Sequence, residues 1–216
     1  IDLKYLYVEA DCETYYNTNQ APSPSFVQSV VIKNITNYAD SSDLNQFGAR
    51  FKYSKFQKIV DSSHESVCSN ITTIQMRRDM TAKLNQFAEY ELCFGNQFHV
   101  KNHGHSAVFQ GNLLGYNIRS TGFTVSGISG VVYMGDKPTG NLEKGTVFLF
   151  KLNSPTEPII VKQNIGTIDY KKGEIRLNPI NVISTVVNRN SPIIEVSANP
   201  LSNDVIGLQD LFLQLD

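Results

Sequence analysis

The chain has 216 residues, with 19 Lys and Arg against 20 Asp and Glu and a formal net charge of -1. That length allows one large or two small domains. A near-neutral charge with no long run of one sign excludes the clustered basic footprint of a nucleic-acid binder, and no apolar run is long enough to cross a bilayer.

The chain opens directly in a strand pattern, Leu3-Lys4-Tyr5-Leu6-Tyr7-Val8. It shows neither a start methionine nor a signal peptide, so a piece of a longer protein is expected. The pattern predicts a long strand over residues 3–16. Leu6, Val8, Ala10, Cys12 and Thr14 form its core face, and Tyr5, Tyr7, Glu9, Asp11, Glu13 and Tyr15 the other. Pro22-Ser23-Pro24-Ser25 then opens a helix, because Pro suits the first turn and Ser can cap it. Its apolar stripe is Phe26 or Val27, Val30, Val31, Ile35 and Tyr38. Phe47, Ala49 and Phe51 alternate as a short strand. Tyr53, Phe56, Ile59 and Val60 fall at helical spacing, with Ser54 as the expected N-cap. Thr72, Ile74 and Met76 return to period two. The order strand, helix, strand, helix, strand makes a small α/β subdomain, residues 1–82.

Beyond residue 82 helical periodicity disappears. Short alternating runs cover residues 90–94, 107–109, 115–118, 130–134, 146–151, 159–162, 166–170, 174–177 and 193–198, punctuated by Gly, Pro, Asn or Asp. The clearest hairpin is 167–177, with Gly173 free to take φ > 0 in its turn. Leu211, Leu213 and Leu215 alternate as a last strand. The expected fold class is α+β: the α/β subdomain, then an antiparallel, β-sandwich-like subdomain over residues 83–216.

Chemistry-bearing patterns are few. Cys12, Cys68 and Cys93 are widely spaced, odd in number and without a CxxC pair, so neither a disulfide framework nor a zinc site is expected. Reduced thiols fit synthesis in a cytoplasm. His99, His103 and His105 cluster, but Asn102 and Gly104 interrupt them and no cysteine completes a ligand set; no metal is expected there. His64, with Asp61 and Glu65, reads as helix-end charge. Arg77-Arg78 with Lys83 reads as a solvated strand end. Ser126-Gly127-Ile128-Ser129-Gly130 lacks the strand-to-helix turn of a nucleophile elbow, and no P-loop or dinucleotide fingerprint is present. No catalytic residue and no cofactor is expected.

The stretch FGARFKYSKFQKIVDSSHESVCSNITTIQMRR, residues 47–78, resembles the signature region of the baseplate wedge proteins of T-even-like contractile-tailed phages, related to the baseplate protein J family. The later GTIDYKKGEI hairpin and the SNDVIGLQDLFLQLD segment are similar too. The resemblance implies the C-terminal part of a non-enzymatic structural protein of the phage tail baseplate, made in the host cytoplasm and carried in the virion. It implies self-association with a second copy and binding to other wedge proteins to form the inner baseplate ring, with no nucleic acid and no membrane.

Tyrosine offers large contact area at low entropy cost, so Tyr5, Tyr7 and Tyr15 are candidate interface residues. Leu211, Leu213 and Leu215 are candidates at the other end of the chain. Two readings of the tyrosine face stay open, a partner contact and a sheet face covered by the chain itself. The alternative from another class is a tail-associated carbohydrate-binding or hydrolytic module using the β subdomain. It would need paired carboxylates or stacked aromatics around a pocket.

Overall fold

The computed structural model describes residues 4–101, 116–154, 157–208 and 211–216. The first elements in chain order are β1 (Lys4–Tyr16), α1 (Pro24–Ala39), β2 (Arg50–Phe51), α2 (Tyr53–Asp61), β3 (Val67–Thr81) and β4 (Phe87–Cys93). Next come β5 (Ile118–Ser120), β6 (Phe123–Val125), β7 (Ile128–Pro138), β8 (Lys144–Ser154) and β9 (Glu157–Asp169). The last are β10 (Glu174–Thr185), β11 (Val187–Asn188), β12 (Pro192–Ala198), β13 (Val205–Ile206) and β14 (Leu211–Leu215). The strand expected at 107–109 lies outside the described residues. Two compact units result: Ile1–Met76 with Ser202–Asp216, and Arg77–Leu201. The change of period after residue 82 falls just past that division, and the return of Ser202–Asp216 has no signature in the period.

The first unit follows the expected strand-helix-strand-helix-strand order and adds two strands from the end of the chain. Ser23 caps α1: its Oγ accepts the Phe26 N–H at 3.2 Å, and Pro24 occupies the first turn. Val27, Val31 and Tyr38 carry the buried stripe of α1. Leu6 and Val8 of β1 are fully buried, and Thr72, Ile74 and Met76 of β3 are buried beside them. β1 lies between β3 and β14. The pairing with β14 is parallel, Lys4↔Leu211 through Val8↔Leu215. The Asn17 N–H donates to the Ser66 carbonyl, and Cys12 and Glu9 bond Thr72 and Gln75, so β1 and β3 run in opposite directions. The sheet is therefore mixed.

Two local expectations change here. α2 begins at Tyr53, so Lys52 and not Ser54 stands at its N-cap, with no side-chain bond of its own. The helix start is met from afar: Asp204 Oδ1 accepts the Tyr53 N–H at 2.8 Å. A carboxylate there serves as a cap and suits the positive end of the helix dipole. The alternation of Phe47, Ala49 and Phe51 is also broken. Gly48 takes φ 66, so Ala49 and Phe51 are buried while Phe47 stays exposed.

The second unit is a barrel and not the expected sandwich. β10, β6, β7, β8 and β9 pair in that order, and β9 pairs back onto β10, closing the sheet; β4 pairs β10 as well. β10 makes this possible by bending. Its first half meets β9, from Glu174↔Asp169 to Leu177↔Gly166, and its second half meets β6 at Val182↔Val125. Register shifts between Leu177 and Ile180, and between Val182 and Ser184, supply the bend. Pro179 sits in the first shift, where a missing N–H is tolerated. The two runs at 159–162 and 166–170 join into the single strand β9, with Asn164 at φ 54 where its register on β8 slips. The 167–177 hairpin forms as expected, with Ile168↔Ile175 paired and Gly173 at φ 69. A Cβ on Gly173 would fall 2.1 Å from the Asn96 carbonyl oxygen, so glycine is required there twice over.

Candidate functional site

The helices cover one face of the first unit's sheet, the face of Leu6, Val8, Ala10 and Cys12. The other face carries a row of aromatic rings. Tyr7 stacks on Tyr5, centroids 5.7 Å apart at 26°. Tyr5 meets Phe212 edge-on at 5.6 Å, and Phe212 meets Phe47 edge-on at 5.3 Å. The register explains the row: Tyr5 lies directly opposite Phe212 across the parallel β1–β14 pair, and Phe47 forms an isolated antiparallel bridge to Phe212. Each such ring pair contributes about 0.5–1.5 kcal/mol beyond area burial.

Tyr5 and Tyr7 are half-buried within the chain, whereas Phe47 is 51% and Tyr15 49% exposed. Tyr15 lies further along the same face and donates to Glu13 Oε2 at 3.3 Å. Ile71 of β3, 56% exposed, shares that face. Between the aromatic groups, Gln75 Nε2 donates to Glu9 Oε2 at 2.6 Å. The face is thus apolar at both ends and polar in the middle.

Leu213 and Leu215 do not belong to it. They are 1% and 8% exposed, on the core side of β14, and Leu213 sits opposite Leu6. Their expected exposure is corrected by the parallel pairing, which turns the odd-numbered leucines inward and leaves Phe212 outward. Leu211 pairs with Lys4 by its backbone, and its side chain lies outside the described residues. Phe47 and Phe212 were not singled out from the sequence. The alternation of residues 211–215 holds Phe212 in plain view, but only the strand partner shows which face is open.

The second unit holds a buried polar cluster that sequence patterns also missed. Asp136 of β7 is 1% exposed. Its Oδ1 accepts the N–H groups of Asn117 and Ile118 at 2.7 and 3.0 Å. Its Oδ2 accepts Asn117 Nδ2 at 2.8 Å and the Tyr170 hydroxyl at 2.6 Å. The Asn117 Oδ1 in turn accepts the Lys101 N–H at 2.7 Å. With both oxygens doubly engaged, the carboxylate is a structural acceptor. Burial, and then the charge of Asp136, push the Tyr170 hydroxyl well above its ordinary range, and the same two causes raise Tyr116.

The Tyr170 shift predicts alkaline sensitivity. Below the ordinary tyrosine range near pH 10, Tyr170 is protonated in both states and its stabilisation is whole. Above it, the unfolded chain loses this proton while the folded chain keeps it, so stability falls by up to about 1.4 kcal/mol per pH unit. Urea titrations between pH 9 and 11 should show this slope in the parent and a shallower one in Tyr170→Phe. Equal slopes would remove Tyr170 as the cause.

The remaining candidates are placed as follows. His99 is exposed and its N–H donates to the Asn199 carbonyl; His103 and His105 lie outside the described residues. Among the described residues no group of three His, Cys, Asp or Glu is placed to hold a metal, and no helix is long and apolar enough to cross a membrane. Cys12, Cys68 and Cys93 are free thiols. His64 follows the end of α2, and its Nδ1 accepts the Ser66 N–H at 3.2 Å. Arg77 and Arg78 are 6% and 7% exposed, buried along β3 and not a solvated end, and Arg77 Nε donates to Asp79 Oδ1 at 3.1 Å.

Residues 4–79 match the family model of the baseplate structural protein gp6, C-terminal domain III. This stretch belongs to the gp6 domain III family. The match begins with β1 and ends within β3. No curated protein matches the chain. Domain III is part of a baseplate structural protein and not of an enzyme, so the chain is a structural component of the phage tail baseplate, carried in the virion. The matched stretch up to Met76 shares its compact unit with β13 and β14, which follow the barrel in sequence.

Proposed function

We propose that domain III holds baseplate proteins together through the aromatic face, docking a second copy of itself and other wedge proteins to build the inner baseplate ring. The observation that supports this is the row Tyr7–Tyr5–Phe212–Phe47, which presents ordered rings on the helix-free side of its sheet. Interface hot spots are enriched in such aromatic groups, because their rings lose little freedom on binding. A stable contact needs about 1,200–2,000 Å² of buried surface, more than one row of rings supplies, so Tyr15 and Ile71 belong to the same footprint.

The barrel serves as a rigid companion unit. Its buried Asp136 cluster and closed sheet suit a part that transmits force without changing shape. The test is the double substitution Tyr5→Ser and Tyr7→Ser. The protein should keep its circular dichroism spectrum, because both side chains lie outside the helix-covered core. Baseplate assembly in vitro should weaken by about thirtyfold or more, the scale of losing a hot spot. Normal assembly by a folded double variant would remove these tyrosines from the interface and turn attention to the barrel.

A further inference from the structure

The short segment 47–50 serves two surfaces. Phe47 joins the aromatic row through Phe212. Gly48 and Arg50 line a pocket of about 310 Å³ together with Tyr38, Asp43, Lys52 and Lys55. All of these residues belong to the first unit. The local sequence explains the pocket. Gly48 turns the chain at φ 66, and a Cβ there would meet nothing within 4 Å, so that wall stays open. Ala49 and Phe51 are buried, and the alternation of an extended chain then sends Arg50 and Lys52 outward together.

Three cations line this pocket, and one of them is already committed. Lys55 pairs with Asp43, and its ammonium stands 5.4 Å from the centre of the Tyr38 ring. The other acid close to Tyr38 is Asp204, which accepts the Tyr53 N–H. Among the described residues neither Arg50 nor Lys52 has an ion-pair partner, and both are exposed. Tyr38 is 5% exposed. Burial, opposed in part by the Lys52 N–H and by Lys55, raises its hydroxyl above the ordinary range, so it remains a neutral donor.

This chemistry selects the occupant. Two uncommitted cations are too few for a nucleic-acid backbone, which takes about six or more phosphate contacts. They suit a single carboxylate, which a guanidinium grips with two parallel bonds. Phe47 lies three residues from Arg50, so one partner surface can cover both.

We infer that this pocket receives an Asp or Glu side chain of a neighbouring baseplate protein, with its carboxylate on Arg50 and Lys52 and its apolar neighbours on Phe47. The aromatic row supplies contact area, and the pocket supplies the choice of partner. This deepens the docking role proposed for domain III and rests on it for the origin of the acid.

The probe is a pair of short capped peptides, one alternating Glu and Gly, the other Lys and Gly. Each is titrated into the whole chain and followed by NMR. The Glu peptide should shift the signals of Gly48, Arg50 and Lys52 and saturate at about millimolar concentration, and the Lys peptide should shift none of them. Arg50→Ala should weaken the Glu peptide by about tenfold. Equal shifts at Lys171 and Lys172, exposed on the barrel hairpin, would show general charge attraction and overturn the inference. So would shifts with neither peptide, or shifts that grow with protein concentration alone, which mark a second copy as the occupant. In baseplate assembly in vitro, Arg50→Glu with Lys52→Glu should cost about tenfold or more, because it sets like charges face to face. Normal assembly by this variant in folded form would overturn the inference; if the pair does not fold, Arg50→Ala decides. The result is separable from the aromatic face. A Tyr5→Ser, Tyr7→Ser variant that binds the Glu peptide but fails to assemble supports both readings, and one that binds it and assembles normally removes only the aromatic docking face.

Discussion

Asp136→Ala should destabilise the barrel by more than about 3 kcal/mol, measured by urea unfolding. Four donors converge on this carboxylate: the Asn117 and Ile118 N–H groups, Asn117 Nδ2 and the Tyr170 hydroxyl. Alanine removes all four acceptances at once and leaves the donors buried. Hydrogen bonds to a charged group contribute about 1.5–3 kcal/mol each, and an orphaned buried donor costs about 1–3 kcal/mol. The penalties do not add fully, because some donors reach water as the site relaxes. The cluster also joins β7, the start of β5 and the β9–β10 turn, so losing it loosens three parts of the unit together. Glu143→Ala, at an exposed carboxylate, is the control and should change stability by under about 0.5 kcal/mol. A loss below about 1 kcal/mol for Asp136→Ala would show that the cluster is not what holds these parts.

Leu213→Ala should cost domain III about 2–5 kcal/mol, the range for emptying a well-packed leucine site. Leu213 is 1% exposed and faces Leu6 across the parallel pair. Gln214, one residue on, is exposed and sits opposite Tyr7. Gln214→Ala should therefore be nearly neutral. Calorimetry on the two variants distinguishes a strand that completes the core from one that merely lies along it. Equal, small effects would mean that domain III is stable without β14. The family match ends within β3, so this also tests whether the matched stretch depends on chain that lies far beyond it.

What could be read from the sequence was local chemistry. The Ser23-Pro24 start of α1, the even-numbered core face of β1, the period-two run in β3 and the Gly173 hairpin each carry their cause within a few residues. What escaped reading depends on distant partners. Asp204 caps α2 from 151 residues away, where the local sequence offered Ser54. Leu213 and Leu215 looked exposed because nothing in an alternating run says which face will be covered; the parallel pairing with β1 decides it. Tyr5 and Tyr7 were legible as surface area, but Phe212 and Phe47, which order them, needed the β1–β14 register. Barrel closure escaped for the same reason. A bent β10 that serves two partners reads in sequence as a strand followed by a polar interruption at Asn178 and Pro179. Asp136 escaped because a carboxylate at the end of an apolar run resembles a turn residue until Tyr170 and Asn117 are brought to it.

The most direct test of the aromatic face is photo-crosslinking in assembled baseplates. A benzophenone side chain is placed at position 7, with a second version at position 87, where Phe87 of the barrel is 71% exposed. The account predicts that position 7 forms crosslinks to a second copy or to a wedge protein, in assembled particles and not in the free chain. Crosslinks from position 87 alone, with position 7 reacting only with its own chain, would contradict it.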